Sequence, residues 1–397
     1  MSLTNDVAAV EPRGEIGLSV MLTLAMMLPM LILYAIGTLG PYLVRDLRIE
    51  PGWLGYVTMG TFALAALLSL GAGPLVDRLG ARRALAVLFH SVALAYLLIV
   101  ALPGFGGIVG AAAICGIAQA LCNPVTNLLI AQRVAPSRKA FVVGFKQSGV
   151  QLGALFAGLV LPAMAIRFGW RAALGSVIPV AIALGLLALR VAPAAAAATR
   201  RREALPRPNA LLWWLIGVQG CVGIVLSAFV TFLPMFAIRQ GMPAAEAGLM
   251  IALFGAMGML SRVALTPLAA RLDDEAVLLL GLLGCAAVAL LLVRQADAGQ
   301  SGMLWAGAAA MGLSAVATNA IAMGMLLRDP AFGGAANASG LLSAAFFGGF
   351  SIGPASFGAL ASASAGFDGA WLMTLVVVAV GAGLCMALIR ARRGDPR

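Results

Sequence analysis

The sequence predicts an all-α integral membrane protein, with twelve transmembrane helices in two pseudo-symmetric six-helix bundles. Three observations lead there. Of 397 residues, 62% are hydrophobic and only 10% charged, and the mean hydropathy is +1.02. Soluble domains sit nearer half apolar and a quarter charged. The apolar residues gather into runs of about 20, the length that crosses a bilayer as a helix. Finally, turn residues of the first half recur in the second at a nearly constant spacing.

In chain order the runs cover residues 18–39, 54–76, 84–102, 107–131, 140–166, 173–189, 211–237, 247–269, 277–293, 303–327, 335–363 and 370–389. The short links at 103–106 and 364–369 leave room only for antiparallel neighbours. Residues 1–17 read as an N-terminal tail, 18–191 as the first bundle, 192–210 as a linker, 211–389 as the second bundle and 390–397 as a C-terminal tail. The linker carries an alanine run, prolines and the basic cluster Arg200, Arg201 and Arg202. The N-terminal tail holds Asp6, Glu11 and Glu15 beside Arg13, a poor start for a signal peptide.

Cation placement sets the expected orientation. With the N-terminus in the cytoplasm, 18 Lys and Arg residues fall inside, 6 fall outside, and Lys146 and Arg262 lie within spans. That bias predicts cytoplasmic N- and C-termini. It also accounts for a net charge of +11 without nucleic acid as a partner. The five cysteines all lie in apolar runs, so neither a disulfide framework nor a metal site is expected.

The repeat is most visible around the loop after span 2. At an offset of 193, Pro41 meets Pro234, Gly55 meets Gly248, Pro74 meets Pro267 and Arg78 meets Arg271. At 196, Gly116 meets Gly312 and Asn123 meets Asn319. Parallel six-helix repeats imply a pseudo-two-fold axis along the membrane normal and a central site between the halves. The stretch 71–85, GAGPLVDRLGARRAL, is expected to turn tightly on its glycines and proline.

Gly73, Leu75, Asp77, Arg78, Gly80 and Arg82 follow the spacing of the loop between spans 2 and 3 in the major facilitator superfamily, which the chain resembles over nearly all its length. Ala81 departs from that pattern, where the family usually has a basic residue. The second copy departs further, with Ala270 in place of the aspartate and Asp273 in place of the second glycine. The resemblance implies alternating access, a cavity lined by spans 1, 4, 7 and 10, and contacts of span 5 with span 8 and span 2 with span 11. It makes Gly73, Asp77, Arg78, Gly80, Arg82 and Arg133 the expected gate. Asp77 would latch the halves through Arg133 or the start of span 11. A bare turn and topology signal is the simpler alternative reading of the same residues.

Ionisable residues inside spans are candidates for function. All 15 acidic residues fall in loops, tails or span ends, leaving Lys146, Arg262 and His90 inside. Lys146 lies in GFKQSGVQLG, where Gln147 and Gln151 form an i, i+4 stripe. A lysine there either snorkels to phosphates or anchors an anion. Arg262 either is satisfied by backbone carbonyls or faces the same cavity as Lys146, where an anion would relieve their repulsion. His90, in a span the family places at the periphery, reads as structural. Tyr34, Asn123, Gln219 and Asn319 supply uncharged polar groups on cavity-lining spans, where gluing helices together is the alternative role.

No phosphate loop, zinc motif or nucleophile elbow appears, so no enzyme and no cofactor are expected. The expected function is transport of a small organic anion, a carboxylate, across a plasma membrane, the bacterial inner membrane, by a monomer, with a proton or counter-anion as coupling partner. A proton-driven drug or metabolite exporter is the alternative within the class. A non-transporting receptor or assembly protein on the same fold is the alternative outside it.

Overall fold

A computed structural model describes residues 12–135, 138–191, 209–297, 299, 301–332 and 335–394. Most of the expected linker, 192–208, lies outside them. Among the described residues there are helices and turns but no strand, as lipid demands of a backbone with no water to bond.

The helices match the twelve expected spans. The first, α1, is Pro12–Leu47. Leu54–Ala101 is one hydrogen-bonded run broken at Gly80, which divides it into α2 (54–79) and α3 (81–101). Next come α4, Phe105–Arg133, and α5 (139–168), which passes a single irregular turn at Val160. Gly169 separates α5 from α6 (170–191). The second half holds α7, Ala210–Arg239, α8, Ala244–Ala269, and α9, Glu275–Arg294. It ends with α10, Ser301–Arg328, α11, Ala335–Ser362, and α12, Gly366–Gly394.

The turn in 71–85 is tighter than expected. Pro74 sits inside α2, and the chain reverses at Gly80, with φ 74° and ψ 156°. A side chain rarely adopts that conformation, so one glycine makes the turn. The repeat-related turn instead uses residues 270–274, where the Asp274 carboxylate caps α9 by accepting from the Ala276 N–H at 3.1 Å.

Away from the chain termini, at what we call the far face, the halves meet backbone to backbone. Gly37 of α1 lies against the Val230 carbonyl of α7, and Gly55 of α2 against that of Pro354 in α11. Gly158 of α5 lies against Gly248 and Ala252 of α8. A Cβ at any of these positions would collide with main-chain atoms, so close approach explains the glycines. Above this floor lie the buried rings of Tyr34, Phe254 and Phe229, with centroids 6.4 and 6.2 Å apart in sequence. At the same face the Trp170 indole N–H and the Arg171 guanidinium hold the Asp46 carboxyl below the usual carboxylate range. Arg294 does the same for Asp368 in the second half.

At the terminal face the second half carries an ion cluster. Arg392 of α12 bonds Asp274 at 2.6 Å and Asp329 at 3.0 Å, and Arg328 reaches Glu275 at 3.0 Å. In the first half, Asp77 makes no ion pair with any described residue, Arg133 included.

Candidate functional site

The polar groups of α4, α5 and α8 converge between the halves. Lys146 is fully buried. It does not snorkel: its Nζ turns onto α4 and donates to Thr126 Oγ1 and to Asn127 Oδ1, each at 2.6 Å. Thr126 spends its own proton on the Cys122 carbonyl at 2.6 Å, so only its lone pairs face the lysine. Among the described residues no carboxylate pairs with Lys146.

Gln147, one residue on, looks the other way. Successive helix positions point about 100° apart, which aims Gln147 at α8. Arg262 Nη1 donates to the Gln147 carbonyl at 3.0 Å and to its Oε1 at 3.2 Å. The Gln147 amide in turn donates to Asn123 Oδ1 at 3.4 Å. Arg262 therefore has the backbone carbonyl partner that a structural arginine needs, yet its Nε is buried with no partner. Gln151 continues the stripe: it is 1% exposed, packs against Gly255 and Gly258 of α8, and leaves Oε1 unpaired. The glycine face of α5 points elsewhere, with Gly149 against Thr23 and Gly153 against Met27 and Tyr34 of α1.

In the second half Gln219 is fully buried, accepts from Asn319 Nδ2 at 3.3 Å and donates to the Thr318 carbonyl at 3.4 Å. This neutral pair is separate from the Lys146 group; no hydrogen bond joins the two among the described residues. His90 is an exposed ring whose Nδ1 lies 2.7 Å from the Ala86 carbonyl of its own helix. The gate residues are spread along the terminal face: Gly80 is buried at the turn, Gly73, Asp77, Arg82 and Arg133 are half-buried and Arg78 is exposed. The side chains of residues 335–337, where Asp77 was expected to reach, lie outside those described. Among the described residues no group of three His, Cys, Asp or Glu side chains is arranged to hold a metal ion.

Sequence reasoning missed Thr126. The available signal was its place three residues after Asn123, on one face of α4.

Twelve helices among the described residues, in two repeat-related bundles with buried polar groups, are the architecture of a membrane transporter. The Major Facilitator Superfamily model matches residues 22–338, and the chain belongs to that family. It is a transporter rather than an enzyme. Among solved structures it is similar to a bacterial homologue of the human lysosomal transporter Spinster, in an inward-facing and occupied conformation. That pair shares 17% identity over 95% of this chain and 97% of the other, with a TM-score of 0.72. It is also similar to the nucleoside transporter NupG, at 14% identity over 94% and 99% of the two chains and a TM-score of 0.76. At these identities the likeness is one of fold. A search of curated proteins finds no match.

Proposed function

We propose that this transporter carries a small organic anion, most simply a carboxylate, with Lys146 as its anchor. The carrying observation is a fully buried lysine whose partners among the described residues are the neutral oxygens of Thr126 and Asn127. Placing such a cation at mid-membrane costs about 2.5–3.5 kcal/mol on insertion scales, and a bound anion offsets that cost. Arg262 supplies a second positive charge from the opposite half, and its guanidinium suits a carboxylate geometrically. Asn123, Gln147, Gln151, Tyr34, Gln219 and Asn319 supply hydrogen bonds or shape as the halves rock. Asp77, with Arg133 and the glycines of its loop, would latch the terminal face when that face closes. The 18 to 6 distribution of cations supports cytoplasmic termini in a plasma membrane, the inner membrane of a bacterium, and a single chain supplies the whole site.

The test is counterflow in proteoliposomes with labelled lactate, succinate and benzoate, repeated with Lys146→Gln. At least one carboxylate should exchange, and Lys146→Gln should weaken its apparent affinity by about tenfold or more, as losing a charge-assisted hydrogen bond does. Exchange of neutral or cationic solutes alone overturns the proposal. Carboxylate exchange at unchanged affinity in Lys146→Gln removes the anchor role.

A further inference from the structure

The hydrogen-bond arithmetic at Lys146 bears on what travels with the anion. A lysine ammonium has three N–H donors, whereas the neutral amine has two and a lone pair. The protein offers Nζ two acceptors, Thr126 Oγ1 and Asn127 Oδ1, both at 2.6 Å. Neither is a disguised donor: the Thr126 proton goes to the Cys122 carbonyl, and Asn127 presents its oxygen. Two acceptors satisfy the neutral amine and leave the ammonium one short, in a side chain with no exposure.

The groups that face this amine carry no negative charge. From α4 comes the Cys122 thiol, whose Sγ donates to the Ala25 carbonyl of α1 at 3.0 Å. On α1, Thr23 packs against Gly149 and Tyr34 against Gly153 of α5, and the Thr23 hydroxyl donates to the Ser19 carbonyl. Arg262 of α8, of like charge to an ammonium, is engaged on Gln147, which points away from Lys146. No described carboxylate reaches Lys146 from any of these helices. A proton added to Nζ therefore creates a third N–H and a charge, and the arriving carboxylate supplies both the missing acceptor and the counter-charge.

We propose that Lys146 is the proton-coupling group, taking up one proton as the anion binds and returning it to water as the anion leaves. The amine lone pair accepts the proton from water at the open face. The new N–H bonds the carboxylate, and both depart together at the other face. No other bond changes. One proton thus moves with each monocarboxylate, and anion transport is symport. The inference rests on the anion reading above.

The test counts protons in the purified full-length protein. Lactate, succinate and benzoate are titrated in lightly buffered solution with a pH indicator, in the wild type and in Lys146→Arg, whose side chain stays charged. For a probe that binds, the wild type should take up about one proton per anion where the free amine is neutral. Its affinity should fall by up to about tenfold per unit rise in pH. Lys146→Arg should bind with no proton uptake and with little pH dependence. Binding without proton uptake in the wild type overturns this inference and leaves the anion reading standing. So does proton uptake that persists in Lys146→Arg. Failure of all three probes to bind overturns both. If Lys146→Arg does not fold, the wild-type proton count decides alone.

Discussion

The contact of α5 with α8 and the contact of α2 with α11 are one interface built twice, and they diverge along their length. At the far face they are equivalent. Gly158 meets Gly248 in one and Pro354 meets Gly55 in the other, at the repeat offsets of 196 and 193. Further inward, Ala154 against Gly255 keeps α5 and α8 close, while their repeat partners Phe350 and Phe62 hold tilted rings 4.9 Å apart. Nearer the terminal face, Arg262 bonds Gln147 on one side, and the residue at its repeat position on the other is Ser69. The lysine group follows the same rule. At an offset of 196, Lys146, Thr126 and Asn127 become Leu342, Ala322 and Met323, all apolar. The repeat preserves the glycine contacts of the far face and departs from symmetry at the buried polar groups. Charge sits on one side of the axis, and aromatic packing, at about 0.5–1.5 kcal/mol per ring pair beyond area, on the other.

Making the two sides alike should have the largest effect. The triple variant Lys146→Leu, Thr126→Ala, Asn127→Met gives the first half the residues of the second. Transport of the anion should fall by more than about 100-fold, the equivalent of losing a buried charge contact of ~3 kcal/mol. The fold should survive, because replacing a buried polar group and its partners together by apolar residues is neutral or stabilising. An unfolding temperature at or above the wild type with transport lost sharpens the comparison. Wild-type transport in the triple variant breaks it.

The symmetric end should respond symmetrically. Gly55→Leu and Gly158→Leu each place a side chain against main-chain atoms of the opposite half. Overpacking of this kind costs about 1–3 kcal/mol, here charged to the state closed at the far face. Each variant should lower the transport rate by about tenfold, or ~1.4 kcal/mol, and each should raise the labelling of a cysteine introduced in place of Thr231, buried at the Gly37 contact, by a thiol reagent applied from that face. A strong effect in one and none in the other would show that only one of the two contacts closes the molecule.

Much of this was legible in the sequence, and the remainder hid for physical reasons. Span length gave the twelve helices, because lipid leaves the backbone few options, and the repeat offset matched Gly55 with Gly248, each of which packs on the opposite half. The reversal at 71–85 was placed correctly but credited to too many residues. Pro74 is accommodated within α2, as proline is in membrane helices, and Gly80 alone turns the chain. Lys146 stood out by its charge. Its partner Thr126 did not, because a threonine in a helix bonds its own preceding turn, as this one does with Cys122, and its second role exists only once α5 has packed. Lys146 and Arg262 were expected on one cavity, and the 100° step of the helix gives them different partners. Lys146 turns to α4, and Gln147 receives the arginine from 115 residues away.

The smallest effects belong to the two repeat-related loops at the terminal face, where the comparison is one of timing. In the second half the cluster of Arg392 with Asp274, Glu275 and Asp329 is already formed, with Arg392 only 10% exposed. Its guanidinium also lies 5.9 Å from the Phe332 ring. Arg392→Ala removes the cation that Asp274, Glu275 and Asp329 share, and the stability of the detergent-solubilised protein should fall by about 3 kcal/mol, the low end for breaking a buried pair. Asp77 has no ion pair with a described residue, so Asp77→Asn should leave stability within about 0.5 kcal/mol of the wild type. If Asp77 serves the state closed at the terminal face, its loss should appear as a slower transport cycle instead. Denaturant unfolding and initial-rate uptake, measured on both variants, separate the two roles. A stability loss in Asp77→Asn equal to that of Arg392→Ala would mean that both loops are structural clamps and that the latch lies elsewhere.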